Sequence, residues 1–261
     1  MSARAEDSRP LRRKAVGPTK AVPLSRIGLA PEQVAFIGEA AAENVFVQVL
    51  CWPTMPAAWS ALAEAAASMR AIRDGLSMSN PVVGSSWLQQ VAPQLSGPLE
   101  REWGAAESTL ATLIRRLPVR FAVAIVRLES GERQGGAAAR CRSLFTGCLT
   151  AYGTYLKTSN QCAFRLMLAP GQSAETNAQR LAVYAEMLPH LEGSGRLGAL
   201  ELAFWPGGTP PLPMEVAQLA AAAVSRHLQA PAQANPLFDA VREQLAPPSH
   251  FHALSGRSAR R

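Results

Sequence analysis

Between Ala137 and Thr158, the side chains of Cys141, Phe145, Cys148, Tyr152 and Tyr155 recur at steps of four, three, four and three. Helical geometry places residues so spaced on one face. A stripe this long must be covered, so the rest of the chain has to supply an apolar surface that fits it. The same logic applies to Trp103, Ala106, Leu110, Leu113 and Leu117, a helical pattern that Pro118 ends, and to Leu62, Ala65, Met69, Ile72 and Leu76.

Other segments extend the helical theme. Residues 31–50 open on a proline, are rich in alanine and carry Glu39 and Glu43 one helical turn apart, which predicts a first helix. A short helix is expected near Trp87–Val91. Ser173 is placed to cap a helix bearing Leu181, Tyr184 and Leu188, and further helices are expected over Met214–Leu228 and, after Asn235, over Pro236–Leu245. For Val119–Leu128 the periodicity fits a strand and a buried helix equally, and Ala163–Ala169 and Leu197–Trp205 read as short strands. The expected fold class is therefore mainly α, a helical globular body with a short β element.

The expected organisation is a flexible basic arm over residues 1–30, a helical body over 31–205 whose two lobes meet near 118–136, a C-terminal helical unit over 206–246 beyond the rigid loop PGGTPPLP, and a basic tail over 247–261. With 48% hydrophobic residues in 261, such a body can bury a full core. No apolar run approaches the roughly 18–20 residues of a membrane span. The N-terminus lacks a secretory apolar block, and Glu6 and Asp7 do not suit a transit peptide, so the expected location is intracellular and cytoplasmic.

Charge is segregated along the chain. Residues 1–26 hold seven basic groups, Arg12, Arg13 and Lys14 among them, against two acids. The last five residues add three arginines, so these two termini exceed the formal net charge of +7 and the body between them sums to −1. Within the body, residues 27–114 carry three arginines against eight acids, whereas residues 115–142 carry Arg115, Arg116, Arg120, Arg127, Arg133, Arg140 and Arg142 against Glu129 and Glu132. Arginine presents a planar fork that matches phosphate oxygens, so several lining a groove would hold a nucleic-acid backbone whatever its sequence. The same charges would also serve pairing with the acidic first half, within one molecule or between copies.

Sites of other kinds find little support. Cys51, Cys141, Cys148 and Cys162 form neither a CxxC pair nor a disulfide framework, and His190, His227, His250 and His252 lack a matching cysteine cluster, so no metal site is expected. The sequence GSGRLG at 193–198 matches G-x-G-x-x-G, but a helix precedes it and a strand-like segment follows, the reverse of a dinucleotide site. No P-loop, G-x-S-x-G elbow or H-E-x-x-H helix occurs, and neither a catalytic residue nor a cofactor is assigned. Phe121, Phe145, Tyr152 and Tyr155 lie near the arginines in sequence and would suit base stacking, although three of them share the stripe that a core face requires.

The expected function is a non-enzymatic, self-assembling protein that binds nucleic acid, single-stranded RNA in particular, through a central groove of Arg115, Arg116, Arg120, Arg127, Arg140 and Arg142 aided by Arg12, Arg13 and Lys14. Its partners would be RNA and further copies of itself in a nucleoprotein particle, without a membrane. Arm, helical body and tail broadly resemble the layout of filamentous-virus coat proteins, with no motif that aligns residue by residue. The alternative is a helical adaptor or scaffold, assembled by contacts between the acidic first half and the arginine-rich middle without nucleic acid.

Overall fold

A computed structural model describes residues 34–54, 71, 98–128, 136–159, 166–191, 194–197, 200–206, 210–246 and 252–255, with backbone alone at 98–103, 194 and 252–255. The mainly α expectation is overturned by a mixed six-stranded sheet with helices on both faces, an α/β fold. The strands are β1 (Val34–Ala42), β2 (Val45–Pro53), β3 (Val119–Arg127), β4 (Leu166–Pro170), β5 (Glu201–Trp205) and β6 (His252–Ser255), and they lie in the order β5-β4-β1-β2-β3-β6. Antiparallel pairs join β1 to β2 and β2 to β3, whereas β4, β5 and β6 add in parallel.

The predicted first helix is instead the β1–β2 hairpin. Its turn is made by Glu43, in the left-handed region at φ 49°, and Asn44, between the paired Ala42 and Val45. Alanine and glutamate favour helices in isolation, but Val34, Phe36, Ile37 and the run from Val45 to Trp52 have both faces of a sheet to fill, and that packing decides the outcome. Residues 119–127, undecided by periodicity, are a strand.

Side chains alternate between two cores. On one face Val34, Phe36, Val47, Val49, Phe121 and Val123 pack beneath α1 (Pro98–Arg116), α5 (Leu212–Gln229) and α6 (Pro236–Glu243). On the other, Ala35, Ile37, Leu50, Trp52, Ala122 and Met167 pack beneath α2 (Ala137–Thr158) and α3 (Ala174–Met187), with the short α4 (Ser194–Leu197) nearby. The stripe on α2 faces this second core: Phe145, Cys148 and Tyr152 are fully buried, and the Trp52 ring lies 4.7 Å from that of Tyr152 and 5.2 Å from that of Tyr155.

Helix ends follow local chemistry. Ser173 caps α3 by accepting from the Thr176 amide, and Asn235 caps α6 by accepting from that of Phe238. The C-terminus of α1 is closed from a distance, since Gln244 Nε2 donates to the carbonyl of Arg115 at 2.9 Å. Residues 244–246 also pair with β3, the amide of Phe121 donating to the Gln244 carbonyl and the amide of Ala246 to the Phe121 carbonyl. β6, in the stretch expected as a tail, continues along that edge. The segment 206–246 supplies α5 and α6 to the first core, with α5 against β1 and β2. The helices expected over Leu62–Leu76 and Trp87–Val91, and the basic arm, lie outside the described residues.

Candidate functional site

β1 pairs with β4 only from Val34 to Phe36, but with β2 as far as Ala42, so the hairpin overhangs the parallel strands at their carboxyl ends. Beneath the overhang is a crevice of about 400 Å³, lined from the hairpin by Glu39, Phe46 and Gln48, from the first turns of α2 by Arg140 and Cys141, and from α3 by Arg180. Parallel strands commonly bind ligands at this end, where the helices that follow them point their N-termini.

Charge inside the crevice is partly matched. Arg180, with a side chain 7% exposed, pairs with Glu39 and donates from Nη1 to the Pro170 carbonyl at 3.3 Å. Its guanidinium lies 5.1 Å from the Phe204 ring centre. Burial pushes the Glu39 carboxyl above its usual range, against the pull of Arg180. Arg140 lies over the Phe46 ring at 4.1 Å and has no acidic partner among the described residues. Cys141 is half-buried; burial raises its thiol pKa, with Arg180 opposing, so it remains protonated at neutral pH. Cys148 is pushed up to about 12 by burial, and its thiol donates to the carbonyls of Gln48 and Ala122.

The six central arginines do not form one groove. Arg115, Arg116 and Arg120 sit near the start of β3; Arg127 is at its far end, roughly 26 Å along the strand, near the beginning of α2 with Arg140 and Arg142. Three of the six are engaged within the fold: Arg115 with Glu243 at 2.8 Å, Arg142 with Glu186 at 2.7 Å, and Arg120 with the Gln244 side chain at 3.1 Å. Arg116 and Arg127 have no acidic partner among the described residues. The acids Glu39 and Glu107 of the first half pair with Arg180 and Arg226 rather than with the arginine-rich middle. Arg12, Arg13 and Lys14 lie outside the described residues. Phe121, Phe145 and Tyr152 are buried core residues.

No protein-family model, curated protein or solved structure matches the chain.

Glu39, Gln48 and Arg180 were missed as site residues. The spacing of Glu39 and Glu43 by one helical turn points to a helix, whereas along a strand Glu39 falls on the same side as Ala35 and Ile37 and points inward. Gln48 left a visible trace, as the one polar residue in the apolar run VFVQVLCWP. Among the described residues no three His, Cys, Asp or Glu side chains gather as metal ligands.

Proposed function

We propose that this chain binds nucleic acid by its phosphate backbone, single-stranded RNA in particular, with its basic termini as the principal contacts and Arg116 and Arg127 as contacts on the body. The supporting observation is the segregation of charge: the termini carry more than the whole net charge of +7, while half of the central arginines are already engaged within the fold. Binding by terminal arms needs no groove on the body, only a folded unit to carry them. The protein acts inside the cell and without a catalytic step, as part of a nucleoprotein assembly in which copies of the chain associate. An α/β body departs from the helical layout on which the coat-protein likeness was based, so the α/β unit itself would have to make the contacts between copies. Among the described residues no helix is long and apolar enough to cross a membrane.

The test is fluorescence anisotropy of a labelled single-stranded RNA against the full chain at increasing salt. A protein holding six phosphates of a single strand loses affinity by roughly three hundredfold between about 50 and 200 mM salt. Deleting residues 1–26 should flatten that slope, and Arg127→Gln should lower it by less than one phosphate contact. Absence of binding at the lowest salt would sink the proposal. For assembly, light scattering should report species larger than one chain when RNA is present, and a strict monomer would remove that part.

A further inference from the structure

The crevice under the overhanging hairpin offers more hydrogen-bond donors than its own groups can use. Gln48 is 1% exposed, yet its Nε2 has no hydrogen-bond partner. Leaving such a donor dry costs roughly 1–3 kcal/mol, and most buried polar groups in folded proteins find a partner. The nearest candidate is the Cys148 sulfur, which the Gln48 side chain approaches as a donor, but a thiol sulfur is only a weak acceptor and leaves most of the need unmet.

Two further features favour negative charge at the same place. Arg140 keeps its guanidinium against Phe46 with no carboxylate to neutralise it among the described residues. The helix that carries it, α2, starts at the crevice wall with Gly136 at its N-cap, no side-chain cap and no acidic residue in its first turn, so its positive end is uncompensated. The only carboxylate among the lining residues, Glu39, is taken by Arg180. A cation would therefore find no free negative group, whereas an anion would find several donors. The remaining wall combines the apolar Phe46 and Leu144 with the polar but uncharged Gln172, Thr176, Gln179 and Gln218.

We propose that this crevice binds a small organic anion, a carboxylate or phosphate monoester on a flat apolar body. Arg140 and the first turn of α2 hold the charged oxygens, Gln48 donates to an inner acceptor, and Phe46 and Leu144 pack against the body. The volume of about 400 Å³ lies within the range of small-molecule sites. This site is independent of RNA binding by the termini.

Isothermal titration of the full chain with phenyl phosphate, phenylacetate and the neutral 2-phenylethanol tests it. At least one anion should bind and the alcohol should not. Arg140→Gln should weaken binding by about tenfold or more, equivalent to about 1.4 kcal/mol, while Arg142→Gln, whose charge already goes to Glu186, should leave it unchanged. Gln48→Leu should weaken binding and at the same time raise the melting temperature by about 2–4 °C, because it removes a dry donor. A residue with a purely structural role would not move the two in opposite directions. The proposal fails if neither anion binds up to about 10 mM, if the alcohol binds as well as the anions, or if a folded Arg140→Gln keeps full affinity. A single-stranded RNA that displaces the bound anion, and that itself loses affinity in Arg140→Gln, would make the crevice a backbone contact and overturn the small-anion assignment. RNA that binds without displacement, or fails to bind while the anion binds, supports it.

Discussion

Both faces of the sheet are covered by helices, yet at Gly38 and Glu39 of β1 the two are packed in different ways. On the α5 side, Gly38 lets the helix come down onto β1: a Cβ at that position would lie 2.1 Å from the carbonyl carbon and oxygen of Ala217. On the α2 side, the next residue of β1, Glu39, and its partner on β2, Gln48, are long polar side chains that line the crevice facing the first turns of α2 and α3. A single step along β1 thus separates backbone-to-backbone packing from a polar crevice. Whether a layered α/β protein has a site at a strand end depends as much on side-chain length there as on topology.

Truncating matched aromatics is the strongest way to break this contrast. Phe121→Ala on the α5 side should cost about 4 kcal/mol by urea denaturation, whereas Phe145→Ala, beneath Arg180 and near the crevice, should cost about 3 kcal/mol because water and Arg180 can relax into the gap. An equal or reversed order would mean that the two faces are packed alike. Gly38→Ala should cost about 3 kcal/mol, near the top of the overpacking range, since helix backbone rather than a movable side chain stands in the way. If it is tolerated, α5 is not held against β1 as tightly as the geometry requires.

The polar side is sharpened by smaller effects. Arg180→Met should cost about 2 kcal/mol, below the usual range for breaking a buried pair, because Glu39 keeps a quarter of its side chain in contact with water. Glu39 also sets a pH trend. Its carboxyl pKa is raised by burial, so the folded state holds the proton more tightly than the unfolded chain. Its contribution is therefore present below the ordinary carboxylate value and is lost as pH rises through the raised one. Thermal melts across that window should show a falling component that Glu39→Gln removes. The least change is expected from Arg142→Gln, since its pair with Glu186 is exposed on both sides. There the sign is opposite: Arg142 holds the Glu186 carboxyl below its usual range, so that component is present at neutral pH and is lost on acidification.

What was legible in the sequence was what is local. α2 and the end of α1 are written in stripes of apolar residues and a stopping proline, and the caps at Ser173 and Asn235 depend on residues within three positions. The hairpin was misread because strands covered on both faces lose the polar alternation that identifies them, while the alanines of β1 imitate a helix. The crevice was out of reach for a different reason. Glu39 and Arg180 stand 141 residues apart, and only the addition of β4 beside β1 brings them together. The arginine cluster failed in the opposite sense: residues close in the chain were parted by the length of β3.

Gln244 and its neighbours have a consequence for synthesis. As the chain leaves the ribosome, β1, β2 and β3 emerge well before residues 244–246, so the outer edge of β3 presents unpaired amides and carbonyls to every neighbouring nascent chain in a polysome. The same late residue supplies the amide that closes the end of α1. Premature termination short of Gln244 would thus leave a sticky sheet and a frayed helix together, and because β6 covers the rest of that edge from Ala124 to Arg127, the chain is protected from its own copies only once translation has passed β6.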